Sequence, residues 1–149
     1  MKITFCGHSD FEAAEKYERY MQTLFTELIG EENVEFYIGK DGRFDTFALK
    51  CVKEYKLTHP ATKIIFVTPY LSKSYSKLDF ALNNFDEVIY PSLEKVPYRY
   101  AIIKRNEWMV NKSDILIAFI EYSFGGAAKT FEYAKRKKKK IINIAEIVK

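Results

Sequence analysis

With 149 residues, the chain has the length of one ordinary domain (1–149): enough to enclose a core, too little to divide into two. Its formal charge of +4 is misleading as a nucleic-acid signal, because six basic residues stand consecutively at Lys135–Lys140 and the remainder is close to neutral. Two cysteines, Cys6 and Cys51, exclude a disulfide scaffold and read as buried thiols; with no leader-like apolar segment before Lys2 and no membrane-length run, a cytoplasmic protein away from membranes is expected.

Strand-like and helical patterns alternate along the chain. Lys2 to Cys6 is the first apolar run, followed by Phe11, Ala14, Tyr17, Met21, Leu24, Phe25 and Leu28 at helical spacing, with Gly30 as the stop. Val34 to Ile38 predicts a second strand and Phe44 to Leu57 a second helix, carrying Phe47, Ala48, Cys51, Val52 and Tyr55 on its apolar side. Asp10 and Asp45 are candidate helix caps. Lys63 to Val67 is the third strand, with a short helix predicted over Tyr75 to Asn84 and a fourth strand over Glu87 to Tyr90. A helix from Arg99 to Lys112, a strand from Asp114 to Ile120, a helix after Gly125 and a last strand from Lys140 to Ile144 complete the pattern. Strands apolar on consecutive positions are those buried on both faces, so the pattern predicts an α/β fold: a Rossmann-like three-layer sandwich with a mostly parallel central sheet. Ligands of such folds collect outside the carboxyl ends of the strands.

Three strand ends carry candidate site residues: Gly7-His8-Ser9-Asp10 after the first, Gly39 to Asp45 after the second, and Glu121 to Gly126 after the fifth. Gly125-Gly126 between a strand and a helix leaves room for close backbone approach, and the free N–H groups of a helix start can hold an anion. Gly7, His8, Gly39, Gly42, Asp45, Gly125, Gly126 and Thr130 are therefore expected to line one crevice, with Phe44 or Tyr70 beside a base. Glu132 reads either as a pocket carboxylate or as a surface partner of Arg136, and Arg105 either as a phosphate ligand or as an ion-pair residue. The chain lacks a dinucleotide-binding Gly-x-Gly-x-x-Gly after the first strand, a Walker pattern and a Gly-x-Ser-x-Gly elbow, and His8 and His59 have no clustered co-ligands. No metal or cofactor is implied.

Gly7-His8-Ser9-Asp10, Phe36-Tyr37-Ile38-Gly39 with Gly42 and Phe44-Asp45, Trp108 to Asp114, and Gly125-Gly126 through Ala134 together resemble the SLOG superfamily. That superfamily includes Lonely-Guy-type phosphoribohydrolases and the DNA-processing protein A core, and the resemblance is greatest to a small uncharacterised bacterial branch. It implies binding of a nucleotide or nucleotide-derived metabolite. An alternative is cleavage of a nucleoside monophosphate at its N-glycosidic bond. There Glu132 would act on the water, Arg105 would hold phosphate or sugar, and Asp45 would orient ribose hydroxyls. Against the enzymes' loop, Gly125, Gly126 and Glu132 match, whereas Phe124 stands for a proline, Ala128 for a glycine and Lys129 for a threonine, with Thr130 one position late. Nucleic-acid binding is a further alternative, but the expected partner is a phosphorylated small molecule rather than nucleic acid, because the Lys135–Lys140 run belongs at the far end of the helix that starts at the glycine pair. The resemblance also implies a homodimer, with Tyr98, Tyr100 and the stretch from Tyr70 to Phe80 as contributors.

Overall fold

Consecutive apolar residues whose side chains alternate between two faces build the centre of the protein. The computed structural model describes residues 1–71 and 83–149. Among them, strands β1 (Lys2–Gly7), β2 (Glu35–Ile38), β3 (Lys63–Val67), β4 (Glu87–Ile89), β5 (Ile115–Phe119) and β6 (Lys140–Asn143) form one sheet in the order β4-β3-β2-β1-β5-β6. Every adjacent pair is parallel. Helices α1 (Glu15–Ile29), α2 (Arg43–Thr58), α3 (Ala101–Lys112), α4 (Gly126–Arg136) and the short α5 (Ile144–Ile147) provide the outer layers. The fold is thus the α/β three-layer sandwich that the pattern predicted.

The period of two sorts the strand residues between layers. Ile3, Phe5, Phe36, Ile38, Ile115, Ile117 and Phe119 join Phe25 of α1 and Phe47 and Tyr55 of α2 in the larger core. Their neighbours in sequence, Cys6, Tyr37, Ile65, Leu116 and Ala118, face the other layer and meet Met109 and Val110 of α3 and Ala134 of α4. Cys6 and Cys51 are free and buried, and burial pushes both thiols above their ordinary range.

Element ends depart from the sequence reading in instructive ways. Glu15 and Glu18 place negative charge in the first turn of α1, which starts without a side-chain cap; Asp10 instead accepts a hydrogen bond from the Tyr122 hydroxyl at 3.1 Å. Asp45 is likewise no cap of its own helix start: its carboxylate accepts the Asp41 N–H at 2.9 Å, within the turn before α2. Ile144 leaves the sheet to begin α5, where the Asn143 side chain accepts the Ala145 N–H. Apart from the helical Asn83 and Asn84, the helix expected over Tyr75 to Asn84 lies outside the described residues. No helix among the described residues is long and apolar enough to cross a membrane.

Candidate functional site

The chain leaves β1 toward β2, β3 and β4 on one side of the sheet, and leaves β5 toward β6 on the other. Connections that diverge from adjacent parallel strands open a crevice at their carboxyl ends. A cleft of about 400 Å³ lies there, with the β1 end (Gly7, His8, Ser9) on its floor and the β5–α4 turn as one wall. Asp41 enters from the β2–α2 turn, Asp45 from the first turn of α2, and Ile102, Asn106 and Met109 from α3.

Two glycines are required by packing: Gly7 on the floor, and Gly42, which stands behind it and, contrary to expectation, does not line the cleft. A Cβ on Gly7 would stand 2.2 Å from the Phe44 ring, and one on Gly42 would stand 2.6 Å from the Ser9 Cα. The β1 and β2 turns therefore close on each other, an arrangement fastened by the Arg43 N–H donating to the Ser9 carbonyl at 3.2 Å. Phe44 is fully buried beneath Gly7, in a cluster with Phe11 and Phe47, and does not reach a ligand. The expectation of a base beside Phe44 is corrected accordingly.

His8 is only 3% exposed. Its Nε2 accepts the Glu121 N–H at 2.9 Å and the Tyr122 N–H at 3.4 Å, so the ring is neutral with its proton on Nδ1. Burial lowers its pKa against the opposing pull of Asp10 and Glu121. The Tyr122 ring lies flat on the imidazole at 3.5 Å and 7°, and Phe124 continues the stack at 4.3 Å from Tyr122. His8 thus anchors an aromatic ladder whose outermost member, Phe124, is 70% exposed. The sequence reading missed Tyr122 and Phe124 as site residues. The signal was there: an aromatic immediately before the glycine pair.

Gly125, at φ 95°, sits in the left-handed region that glycine occupies without strain, and this turn aims the start of α4 at the cleft. No side chain caps that start. The first-turn amides of Gly126, Ala127 and Ala128 therefore combine with the positive end of the helix dipole beside the cleft. A Cβ on Gly126 would meet nothing within 4 Å, so the approach is open. Thr130 borders the cleft, but its hydroxyl donates to the Gly126 carbonyl at 3.1 Å.

The remaining expected site residues stand elsewhere. Arg105 is fully buried: NH1 donates to the Val67 carbonyl at 2.7 Å, Nε to the Asn106 Oδ1 at 2.8 Å, and NH2 pairs with Asp41. It acts as a clamp between the end of β3 and the β2–α2 turn, not as an exposed phosphate ligand. Gly39 packs over this clamp, where a Cβ would come within 3.2 Å of the guanidinium. Glu132 lies on the exposed surface of α4, 3.7 Å from Lys135, outside the cleft lining. The geometry thus does not bring Glu132 and Arg105 together as a catalytic pair. Tyr70 is also absent from the lining; it stacks on Tyr98 at 4.5 Å.

Asp45, in the cleft lining, is strongly displaced in acidity. Its carboxyl is pushed up to about 6: burial is the largest cause and the Asp41 charge adds to it, against the pull of the Asp41 N–H and Arg105. Among the described residues no three His, Cys, Asp or Glu side chains come together as a metal site. The Lys135–Lys140 run ends at the amino-terminal ends of the strands, opposite the cleft, since Lys140 opens β6 in register with Ile115, the first residue of β5. Lys139 is used structurally there, donating to the carbonyls of Asn111 and Ser113 at the end of α3.

No family model and no curated protein matches the sequence. The fold is similar to that of DNA processing protein A in solved structures. The Helicobacter pylori protein, described for its unique single-stranded DNA binding mode, aligns with a TM-score of 0.64 over 95% of this chain and 63% of that one, at 14% identity. The Streptococcus pneumoniae protein aligns with a TM-score of 0.61 over 94% of this chain and 48% of that one, at 17% identity. The chain therefore spans less than two thirds of either. At these identities the likeness establishes the fold alone, a Rossmann-like fold similar to that of DNA processing protein A. It also corrects the expectation that set nucleic acid aside as a partner, because one of the proteins sharing this fold is itself described as a single-stranded DNA binder.

Proposed function

We propose that the cleft binds single-stranded nucleic acid, with a phosphate at the start of α4 and a base on the exposed face of Phe124. The observation that carries this reading is the continuity of the two features: the His8–Tyr122–Phe124 ladder leads within one residue into the uncapped, glycine-opened helix start. Stacking accepts any base, and a helix start accepts any phosphate, so the pair suits sequence-tolerant binding. A base inside a duplex presents no free face to Phe124. The likeness in fold to a protein described as binding single-stranded DNA supports the same reading.

The test is fluorescence anisotropy with short labelled oligothymidylates and a matched duplex, at low salt. Single strands bind and the duplex binds more weakly. Phe124→Ala removes one stacking contact, worth about 1–3 kcal/mol per base, and lowers affinity by the corresponding factor. Lack of single-strand binding by folded protein, or undiminished binding by Phe124→Ala, refutes the proposal.

A second reading, a free nucleotide or nucleotide-derived metabolite, is favoured by one observation. Asp41 and Asp45 face the same cleft as the helix start, and carboxylates suit ribose hydroxyls better than they suit a polyanion. Calorimetry with adenine and guanine nucleotides separates the two: a mononucleotide that binds more tightly than any oligonucleotide favours the metabolite.

A further inference from the structure

We propose that a second stacking position, formed by Tyr98 on Tyr70, stands beside the cleft just outside its lining, so that the ligand is a splayed strand of at least two nucleotides. This rests on the single-strand reading and specifies the length and conformation of what is bound. Tyr98 is 76% exposed, yet its ring is held in place: it lies over Tyr70 with centroids 4.5 Å apart and planes 15° from parallel.

Both supports of the pair are fixed by the backbone. Tyr70 follows β3, where its N–H donates to the Thr68 hydroxyl at 3.3 Å and its carbonyl accepts from the same hydroxyl at 2.7 Å. Tyr98 opens a single 3₁₀ turn, Tyr98–Tyr100, closed by the Tyr100 N–H on the Pro97 carbonyl at 2.8 Å. A preformed ring pair with one open face presents a stacking surface at little ordering cost.

Position ties the pair to the cleft. Ile102, one helical turn beyond Tyr98, lines the cleft. Arg105, one turn further, connects the end of β3 to Asp41, which also lines it. Tyr70 and Tyr98 therefore stand at the β3 end of the crevice and Phe124 at the β5 end. β1 and β2 lie between β3 and β5, so the strands that lead to the two aromatic positions are about 14 Å apart across the sheet. Bases stacked on one another in a duplex strand rise only about 3.4 Å per step. Two bases held on these platforms are thus unstacked from each other, with the connecting backbone passing the start of α4.

The experiment compares thymidine monophosphate with a thymidine tetranucleotide on the full chain, by calorimetry. Tyr98→Ala weakens the tetranucleotide roughly tenfold and leaves the mononucleotide where it was, while Phe124→Ala weakens both; Tyr98→Phe, which restores the ring, recovers the tetranucleotide. Tyr98 is exposed, and circular dichroism verifies that its variants are folded. The second position is overturned if Tyr98→Ala binds the tetranucleotide as the parent does, or loses both ligands equally. Sedimentation of the same proteins covers the competing occupant: a dimer lost in Tyr98→Ala with tetranucleotide affinity intact assigns the pair to a second copy of this chain. A parent protein that binds no oligonucleotide overturns the single-strand reading itself, whereas a parent that binds with Tyr98 silent overturns only the second position.

Discussion

Replacing Arg105 tests whether this residue is a clamp or a ligand. In Arg105→Met the side-chain volume is largely kept, while the Val67 carbonyl, the Asn106 amide oxygen and the Asp41 carboxylate each lose a donor. Breaking a buried ion pair by removing one partner costs about 3–5 kcal/mol. The lower end applies, because the Asp41 side chain is 36% exposed and can recover water, whereas Arg105 cannot. A loss of about 3 kcal/mol in a chain of this size lowers the melting temperature by roughly 9 °C. Asp41→Asn keeps an acceptor but leaves the buried guanidinium without its counter-charge, so it is destabilising too, and the two changes combined cost less than their sum. Urea and thermal unfolding followed by circular dichroism measure all three. A phosphate ligand would behave in the opposite way, with ligand affinity falling and stability intact. A stability loss below about 1 kcal/mol in Arg105→Met would refute the clamp.

The other predictions concern protons, backbone and salt. Asp45, raised to about 6 in the fold, is favoured there in its protonated form, so its contribution to stability declines as pH rises from about 4 to about 6; Asp45→Asn flattens that part of the stability–pH curve. His8 has the opposite sign, since its pKa is lowered by burial: acidification through its unfolded value near 6.5 is destabilising. His8→Phe keeps the stack on Tyr122 but leaves the Glu121 and Tyr122 amides without their acceptor, at about 1–3 kcal/mol in chemical denaturation. Gly7→Ala drives a methyl into the Phe44 ring and loses stability, and the second-site change Phe44→Leu restores part of it; equal stability of the two Gly7 variants would argue against that contact. Binding in the cleft gives a shallow dependence of affinity on salt, because its lining contains no lysine or arginine among the described residues, whereas a steep slope abolished by neutralising Lys137 and Lys138 would place the nucleic acid on the basic run.

Much of the fold was legible because burial on both faces leaves a strong trace. The strands carry apolar residues on consecutive positions, most plainly Phe36–Ile38, Ile64–Val67 and Ile115–Phe119, and helix α2 shows its buried side directly in Phe44, Phe47, Ala48, Cys51, Val52 and Tyr55. The ends were less legible, because they depend on partners distant in sequence. Asp10 has the composition of a cap and lies just before a helix, but the Tyr122 hydroxyl 112 residues away takes its carboxylate. Asp45 resembles a cap too, until the Asp41 amide is found folded back onto it.

The candidate site follows the same division, for a physical reason. A glycine's role depends on what its missing Cβ would touch. Gly7, Gly42 and Gly126 look alike in sequence, yet the first two admit neighbouring protein while the third faces open space. The same holds for charge. An arginine near a ligand crevice reads as an anion receptor, but three acceptors from β3, α3 and the β2–α2 turn surround Arg105 before any ligand arrives. Once its guanidinium is committed in this way, the cleft lining has two carboxylates and no cationic side chain among the described residues. Attraction for phosphate must then come from the backbone at the start of α4, and attraction for the rest of a ligand from aromatic faces. Both are short-ranged and indifferent to base identity. Such a cleft discriminates by shape and strandedness more than by sequence, which is why its most informative residue is Phe124 rather than any of its ionisable groups.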